Sequence, residues 1–232
     1  MSEVVDRKVA LIVGASRGLG LGLAKAFLAK GWDVVATVRD ARGRLALDAL
    51  AAGDRLSILM LDIMVADDIA RVRRELDGRV LDVLFMNAGI ARDPAAAVED
   101  APVEDFIDVM LTNALAPLRV IAALHDQVKP AGVVAAMSSS MGSVSGNAGG
   151  AWEIYRASKA ALNQLMKSFA ARHTDGRTYL AVSPGWVRTD MGGDAAPLDI
   201  ETSAAGIVET LVARAGTGGV HFVDFNNKIV AW

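Results

Sequence analysis

Seven short apolar runs, separated by longer stretches of helical pattern, set the strongest limit on how this chain can fold. The runs are Val9–Val13, Val34–Val38, Leu56–Leu61, Val83–Met86, Val133–Met137, Tyr179–Val182 and Val220–Phe222. Between them, residues 18–30, 41–52, 66–77, 103–127, 151–172 and 200–214 read as helices. The runs lack polar alternation, so both faces of each strand are expected to be buried. Strands that alternate with helices build a parallel sheet, and covering it on both faces gives a doubly wound α/β fold with seven parallel strands. In such a fold the ligand lies beyond the carboxyl ends of the strands. The segments that follow each run are therefore where chemistry is to be sought. With 232 residues, 53% of them hydrophobic, the chain has enough apolar surface for one such domain. No repeat, linker or shift in composition marks a second.

Composition narrows the function classes. The net charge is −3 and there is no run of Lys or Arg, which removes the electrostatic footprint of a nucleic-acid binder. A small-molecule partner is expected instead. Cysteine is absent, and the three histidines, His125, His173 and His221, lie far apart in sequence, so no metal site is expected. Near the N-terminus the chain carries Glu3 and Asp6, and its first apolar run is too short for a signal-peptide core or a membrane span. The expectation is a cytoplasmic protein with no membrane partner.

The first run leads into Gly14-Ala15-Ser16-Arg17-Gly18-Leu19-Gly20 and then a helix. Glycines at such a turn let a phosphate approach the backbone, where the helix N-terminus favours negative charge. The spacing is G-x-x-x-G-x-G and departs from the common dinucleotide fingerprint G-x-G-x-x-G. Residues 14–18 also match G-x-S-x-G, the nucleophile elbow of α/β hydrolases. That elbow needs an oxyanion-hole loop from an earlier strand, and only one strand precedes Ser16, so the hydrolase reading is the weaker. About twenty residues past the glycines, the second strand ends at Arg39. An acid there would bind a ribose 2′-hydroxyl and an arginine a 2′-phosphate, so Arg39 favours NADP(H) over NAD(H), with Arg17 as a second contact. The alternative gives Asp40 the acidic role.

Tyr155-Arg156-Ala157-Ser158-Lys159 puts a phenol and an ammonium four residues apart, on one face of a helix. A free tyrosine, with a pKa of about 10, is a poor acid–base group near neutrality, and a neighbouring cation favours its phenolate. On its own the pair also reads as an exposed Tyr and a solvated Lys.

The motifs together, in this order along the chain, resemble the short-chain dehydrogenase/reductase family over essentially the whole length. They are Gly14, Gly18 and Gly20; Asp62-Ile63; Asn87-Ala88-Gly89; Asn113; Ser139; Tyr155 and Lys159; and Pro184-Gly185. Residues 138–163 and 184–193, with the ending "GGVHFVDFNNKIVAW", are similar to the branch of C-factor-like proteins and sniffer-type carbonyl reductases. Three departures stand out: Val13 where the family often has Thr, Met86 where it often has Asn, and Asn226-Asn227 where the branch has an Asp-Gly turn. Val13 removes a hydroxyl that would brace the glycine turn.

The resemblance implies a Rossmann fold and an NADP-dependent oxidoreductase acting on an aldehyde, ketone or alcohol. Tyr155 is then the general acid or base, with its pKa lowered by Lys159, which also holds the nicotinamide ribose. Ser139 orients the substrate oxygen, and Asn113 places a water in a proton relay behind Lys159. The family's S-x-x-G pattern selects Ser139 through Gly142, with Ser140 or Ser143 as substitutes if the loop folds differently. The cofactor shell comprises Gly14, Ser16, Arg17, Gly18, Leu19 and Gly20 at the pyrophosphate, Asp62 and Ile63 at the adenine, and Asn87, Ala88 and Gly89 at its ribose. Pro184, Gly185, Val187 and Thr189 lie along the nicotinamide. Residues 189–199 form a cover, and Trp152, Trp186 and Met191 are apolar walls of the substrate site or else core or interface residues. The helices at 103–127 and 151–172 are expected to pair subunits into a homodimer or homotetramer. The competing class, from C-factor-like relatives, is a cofactor-binding signalling protein.

Overall fold

The computed structural model describes residues 7–93 and 96–232, so the N-terminal reading that rests on Glu3 and Asp6 lies outside the described residues. Its strands are β1 (Val9–Val13), β2 (Asp33–Val38), β3 (Leu56–Met60), β4 (Leu81–Met86), β5 (Val128–Met137), β6 (Thr178–Ser183) and β7 (Val220–Asp224). All pair in parallel in the order β3-β2-β1-β4-β5-β6-β7. The order reverses between β1 and β4, and the crevice opened there is where a doubly wound sheet takes its ligand.

Helices cover both faces, as the continuous apolar strands require. Helices α1 (Gly18–Ala29) and α7 (Ile200–Arg214) pack on one face with α2 (Ala41–Asp48) at its margin, around Phe27, Leu47, Val133 and Leu211. On the other face α3 (Ala66–Glu75), α5 (Ala116–Leu124) and α6 (Glu153–Arg172) bury Val72, Leu124, Met166 and Phe169. Each such side chain contributes about 1.5–3 kcal/mol on burial, which is why the strand runs read as unbroken apolar segments.

The single helix expected over 103–127 is interrupted. Helix α4 (Val103–Met110) passes through a π-helical turn, Leu111–Leu115, into α5, and a 3₁₀ turn, His125–Gln127, ends the stretch. Asn113 sits buried inside the π turn. Polar side chains rarely enter an apolar helix without a reason, and π turns recur at functional sites. By length and hydropathy Val103–Gln127 would also suffice to cross a membrane. In the fold, Val120, Ile121 and Leu124 are instead buried against the sheet.

The histidines do not stay apart. His125 and His173, forty-eight residues apart in the chain, meet with ring centroids 4.4 Å apart. The fold thus removes the separation on which the expectation of no metal site rested.

Candidate active site

The glycine turn is shaped by close approach. Gly14 has φ 87° and Gly18 φ 54°, and a Cβ on Gly20 would lie 2.1 Å from the Gly14 carbonyl oxygen. Only glycine fits there. The brace that Val13 cannot supply comes from the neighbouring strand, where the Gly14 N–H donates to Thr37 Oγ1 at 3.1 Å. Thr37 pairs with Val13 across β1 and β2. Asn87 adds a second brace, its Nδ2 donating to the Gly14 carbonyl at 2.7 Å. The N-terminus of α1 has no side-chain cap and no acid in its first turn. Its open N–H groups, beside glycines that leave the backbone bare, fit a pyrophosphate.

At the end of β2, Arg39 is exposed, while the Asp40 carboxylate accepts from the Gly43 N–H at 2.8 Å and caps α2. Asp40 therefore has a local job, which weakens the acidic alternative. Arg17 is exposed and ion-paired with Asp190.

Tyr155 and Lys159 lie near the N-terminal end of α6, at the carboxyl ends of β4 and β5. Lys159 is only 3% exposed and donates to the Met137 carbonyl at 2.9 Å. Its Nζ lies 5.6 Å from the centre of the Tyr155 ring. Burial pulls the Lys159 ammonium down to about 8. Burial likewise pushes the Tyr155 phenol up to about 12, against a smaller lowering by its hydrogen bond with Ser139. The net shift of Tyr155 is upward in this state, against the expectation of a pKa lowered by Lys159. Removal of the phenol from water outweighs its hydrogen bond with Ser139, and Lys159 gives one of its three N–H donors to the Met137 carbonyl. Tyr155 is thus a neutral phenol at pH 7, the form that can donate a proton.

The structure selects Ser139 among the serines. Its hydroxyl accepts from the Met141 N–H at 3.1 Å, starts the 3₁₀ turn Ser140–Gly142 and meets Tyr155. Ser140 is exposed, and the buried Ser143 is engaged with Ser145 and the Gly146 N–H. Sequence reasoning missed Asn163. Buried one turn past Lys159, it takes a hydrogen bond from Ser138 Oγ at 2.7 Å and donates to the Gly142 carbonyl at 3.2 Å. It ties together the two sides of the Ser139 turn.

Asn113 Nδ2 donates to the Ile90 carbonyl at 2.8 Å and to Ser158 Oγ at 3.0 Å, and Oδ1 accepts from the Ile90 N–H at 2.8 Å. Both amide donors are spent on clamping the segment after β4 to α6. The remaining Oδ1 lone pair lies beside Gly89, whose added Cβ would meet Asn113 Oδ1 at 3.2 Å and Lys159 Nζ at 3.3 Å.

Other expected cofactor contacts have internal partners here. Asp62 accepts from the Met64 N–H at 2.9 Å, and Ile63 is buried in the core with Leu61 and Ile69. Ser16 faces the first turn of α2, where a Cβ on Gly43 would meet its own at 2.8 Å. Ala88 packs against Gly14, and Leu19 packs on the core. The Pro184 carbonyl accepts from Ser203 Oγ at 2.7 Å, Gly185 has φ 79°, and Val187 is buried and bridged to Leu198. Thr189 Oγ1 accepts from the Gly192 N–H at 3.1 Å, closing a turn in the 189–199 segment. Trp186 is exposed and donates to the Gly192 carbonyl at 2.8 Å, and Met191 is likewise exposed. Trp152 precedes α6 in a left-handed conformation, φ 65°, its ring meeting that of Tyr155 edge-on with centroids 5.7 Å apart. Of the proposed walls, Trp152 is the one in contact with the tyrosine. A cavity of about 350 Å³, lined by Met141, Val144, Glu153 and Arg156 among others, opens on the opposite face of α6, away from Tyr155 and Lys159.

Comparison with known proteins gives this architecture its class. The family model described as short chain dehydrogenase matches residues 8–198, and the chain belongs to the short-chain dehydrogenase/reductase family of oxidoreductases. Within the family it stands with the C-factor and sniffer-like branch. C-signal of Myxococcus xanthus is 34% identical over 155 residues, spanning 66% of this chain and 93% of that protein. A carbonyl reductase from Pseudomonas aeruginosa PAO1, solved in complex with NADP, is 43% identical with a TM-score of 0.91, covering 98% of this chain and 100% of that one. The carbonyl reductase Sniffer of D. melanogaster is 30% identical with a TM-score of 0.88, covering 97% and 99%.

Proposed function

We propose that this chain is an NADP-dependent carbonyl reductase in which Tyr155 protonates the oxygen of an aldehyde or ketone. The observation that carries the reading is a neutral, half-buried phenol hydrogen-bonded to Ser139 and set against a buried lysine, beside an uncapped helix N-terminus. A bound NADPH would supply the hydride to the carbonyl carbon. Reduction then builds negative charge on the oxygen, where two hydroxyls, those of Ser139 and Tyr155, are already in place to donate. The phenolate left after proton transfer is offset by the nearby Lys159 charge. In the reverse direction the same phenolate takes the alcohol proton.

The glycine turn and the open end of α1 would hold the pyrophosphate, and the bare Gly89 with Lys159 beside it suits a ribose. Arg39 is the residue proposed to recognise a 2′-phosphate. For Arg17 to join it, the pair with Asp190 must part. The NADP complex of the Pseudomonas relative supports this choice of cofactor. Titration of NADPH and NADH by fluorescence, followed by depletion against a panel of aldehydes, ketones and quinones, tests the reading. Preferential NADPH binding that Arg39→Gln removes, with turnover of a carbonyl, is expected. Equal binding of the two nucleotides would overturn the role of Arg39, and the absence of turnover with every carbonyl would overturn the reductase.

The similarity to C-signal keeps a second reading in view, a signalling protein that only binds the nucleotide. Such a role requires no proton donor. A Tyr155→Phe chain that loses turnover but keeps both NADPH binding and a cell–cell signalling phenotype would favour it.

A further inference from the structure

At the end of α6 remote from Tyr155, His125, His173 and Asp175 converge with their ligating atoms all within 4.8 Å of one another. His125 comes from the turn after α5, and the other two from the connection between α6 and β6. We propose that these three side chains bind a borderline divalent cation such as Zn²⁺ or Ni²⁺, at a site separate from the reductase centre. With a rise of about 1.5 Å per residue, the eighteen residues from Tyr155 to His173 put the two sites about 27 Å apart along the helix.

Two imidazoles and one carboxylate select Zn²⁺, Ni²⁺, Co²⁺ or Cu²⁺ over Mg²⁺ or Ca²⁺, which prefer all-oxygen ligands. The supporting contacts are those that orient metal ligands. Nδ1 of His125 is 3.2 Å from the Ala122 carbonyl, a contact that puts the proton on Nδ1 and leaves Nε2 as the free donor atom. Asp175 is fixed by Arg177, whose N–H donates to Oδ1 at 3.2 Å and whose guanidinium pairs with Oδ2. Arg177 is itself anchored, Nε to the Val128 carbonyl at 2.6 Å. The His173 ring stacks on Phe169 with centroids 4.2 Å apart, and Phe169 also meets the His125 ring edge-on at 5.1 Å.

Asp175 has a further neighbour in Tyr179. Tyr179, whose ring packs on Phe169 with centroids 5.9 Å apart, has a fully buried hydroxyl that lies close enough to Asp175 to interact with its carboxylate. Ligands around a tetrahedral ion lie about 3.3 Å apart, so the side chains must rotate inward to close on it. An ion so held would join the end of α6 to the starts of β5 and β6.

The sequence makes the test clean, because there is no cysteine and His221 is the one further histidine. With the full chain freed of any affinity tag, calorimetric titration with ZnCl₂ should give one ion per chain. His125→Gln and His173→Gln should each weaken it by about tenfold or more, a loss at least as large as that from removing a residue that merely supports a ligand. Unchanged binding in both variants, or none to the parent chain at millimolar Zn²⁺, would overturn the site. Should the variants fail to fold, long-range ¹H–¹⁵N spectra of the parent chain decide. Substoichiometric NiCl₂ should broaden the His125 and His173 ring signals and spare His221, whereas broadening of His221 alone, or of none, would refute the assignment.

Discussion

Replacing Lys159 with methionine should stabilise the cofactor-free chain at neutral pH while abolishing its activity. Lys159 is buried, and desolvation lowers its pKa from 10.5 to about 8. At 1.36 kcal/mol per unit, holding the charge at pH 7 costs about 3 kcal/mol. Methionine removes that cost and fills a similar volume, but it forfeits the hydrogen bond to the Met137 carbonyl, worth about 1 kcal/mol. The net expectation is about 2 kcal/mol in favour of the variant at pH 7. The sign of the pH dependence follows from the depressed pKa. Between about 8 and 10.5 the unfolded parent binds the proton that the folded parent has released, so parent stability rises with pH in that window. From pH 7 to 9.5 the parent regains roughly 2 kcal/mol and draws level with the variant. Other titrating groups are common to both chains and cancel. Urea denaturation of the two proteins at pH 7 and 9.5 reads the difference directly. A gap that does not change with pH, or a variant already less stable at pH 7, would refute the argument that desolvation governs this lysine.

Other consequences follow from the same contacts. Gly20→Ala should abolish nucleotide binding and destabilise the chain by about 1–3 kcal/mol, because the new Cβ would meet the Gly14 carbonyl at 2.1 Å and Asn87 Nδ2 at 2.7 Å; fluorescence titration and thermal melts check both. Asn163→Ala strips partners from Ser138 and the Gly142 carbonyl, and should lower kcat/KM about tenfold or more with NADPH affinity unchanged, because it loosens the Ser139 turn and not the glycine turn. Val103, Phe106 and Ile107 leave an exposed apolar face on α4, and light scattering should find a dimer or tetramer; a monomer of about 24 kDa across concentrations would contradict pairing through that face.

The sheet was legible because its strands are buried on both faces and announce themselves as apolar runs. The spacing of Tyr155 and Lys159, and the glycines at 14, 18 and 20, were legible because local geometry dictates them. Contacts between segments were not. Thr37 braces the glycine turn only because the β1–β2 register sets it beside Val13, and no local pattern reports a register. The break in the helix at Leu111–Leu115 had one faint signal, a lone asparagine in an apolar stretch. The pKa values of Tyr155 and Lys159 depend on how deeply each is buried, so the spacing that identified the pair could not give their direction. His125 and His173 show the same limit: sequence distance says nothing of the turn that brings their rings together.

The central claim is that Tyr155 donates the proton that completes carbonyl reduction, and single-turnover oxidation of NADPH by Tyr155→Phe tests it most directly. Phenylalanine keeps the ring against Trp152 and removes only the hydroxyl. The account predicts unchanged NADPH affinity and a rate lowered by about 10²–10⁴-fold, the contribution of a general acid. A variant that binds NADPH and reduces the carbonyl at the parent rate would contradict it.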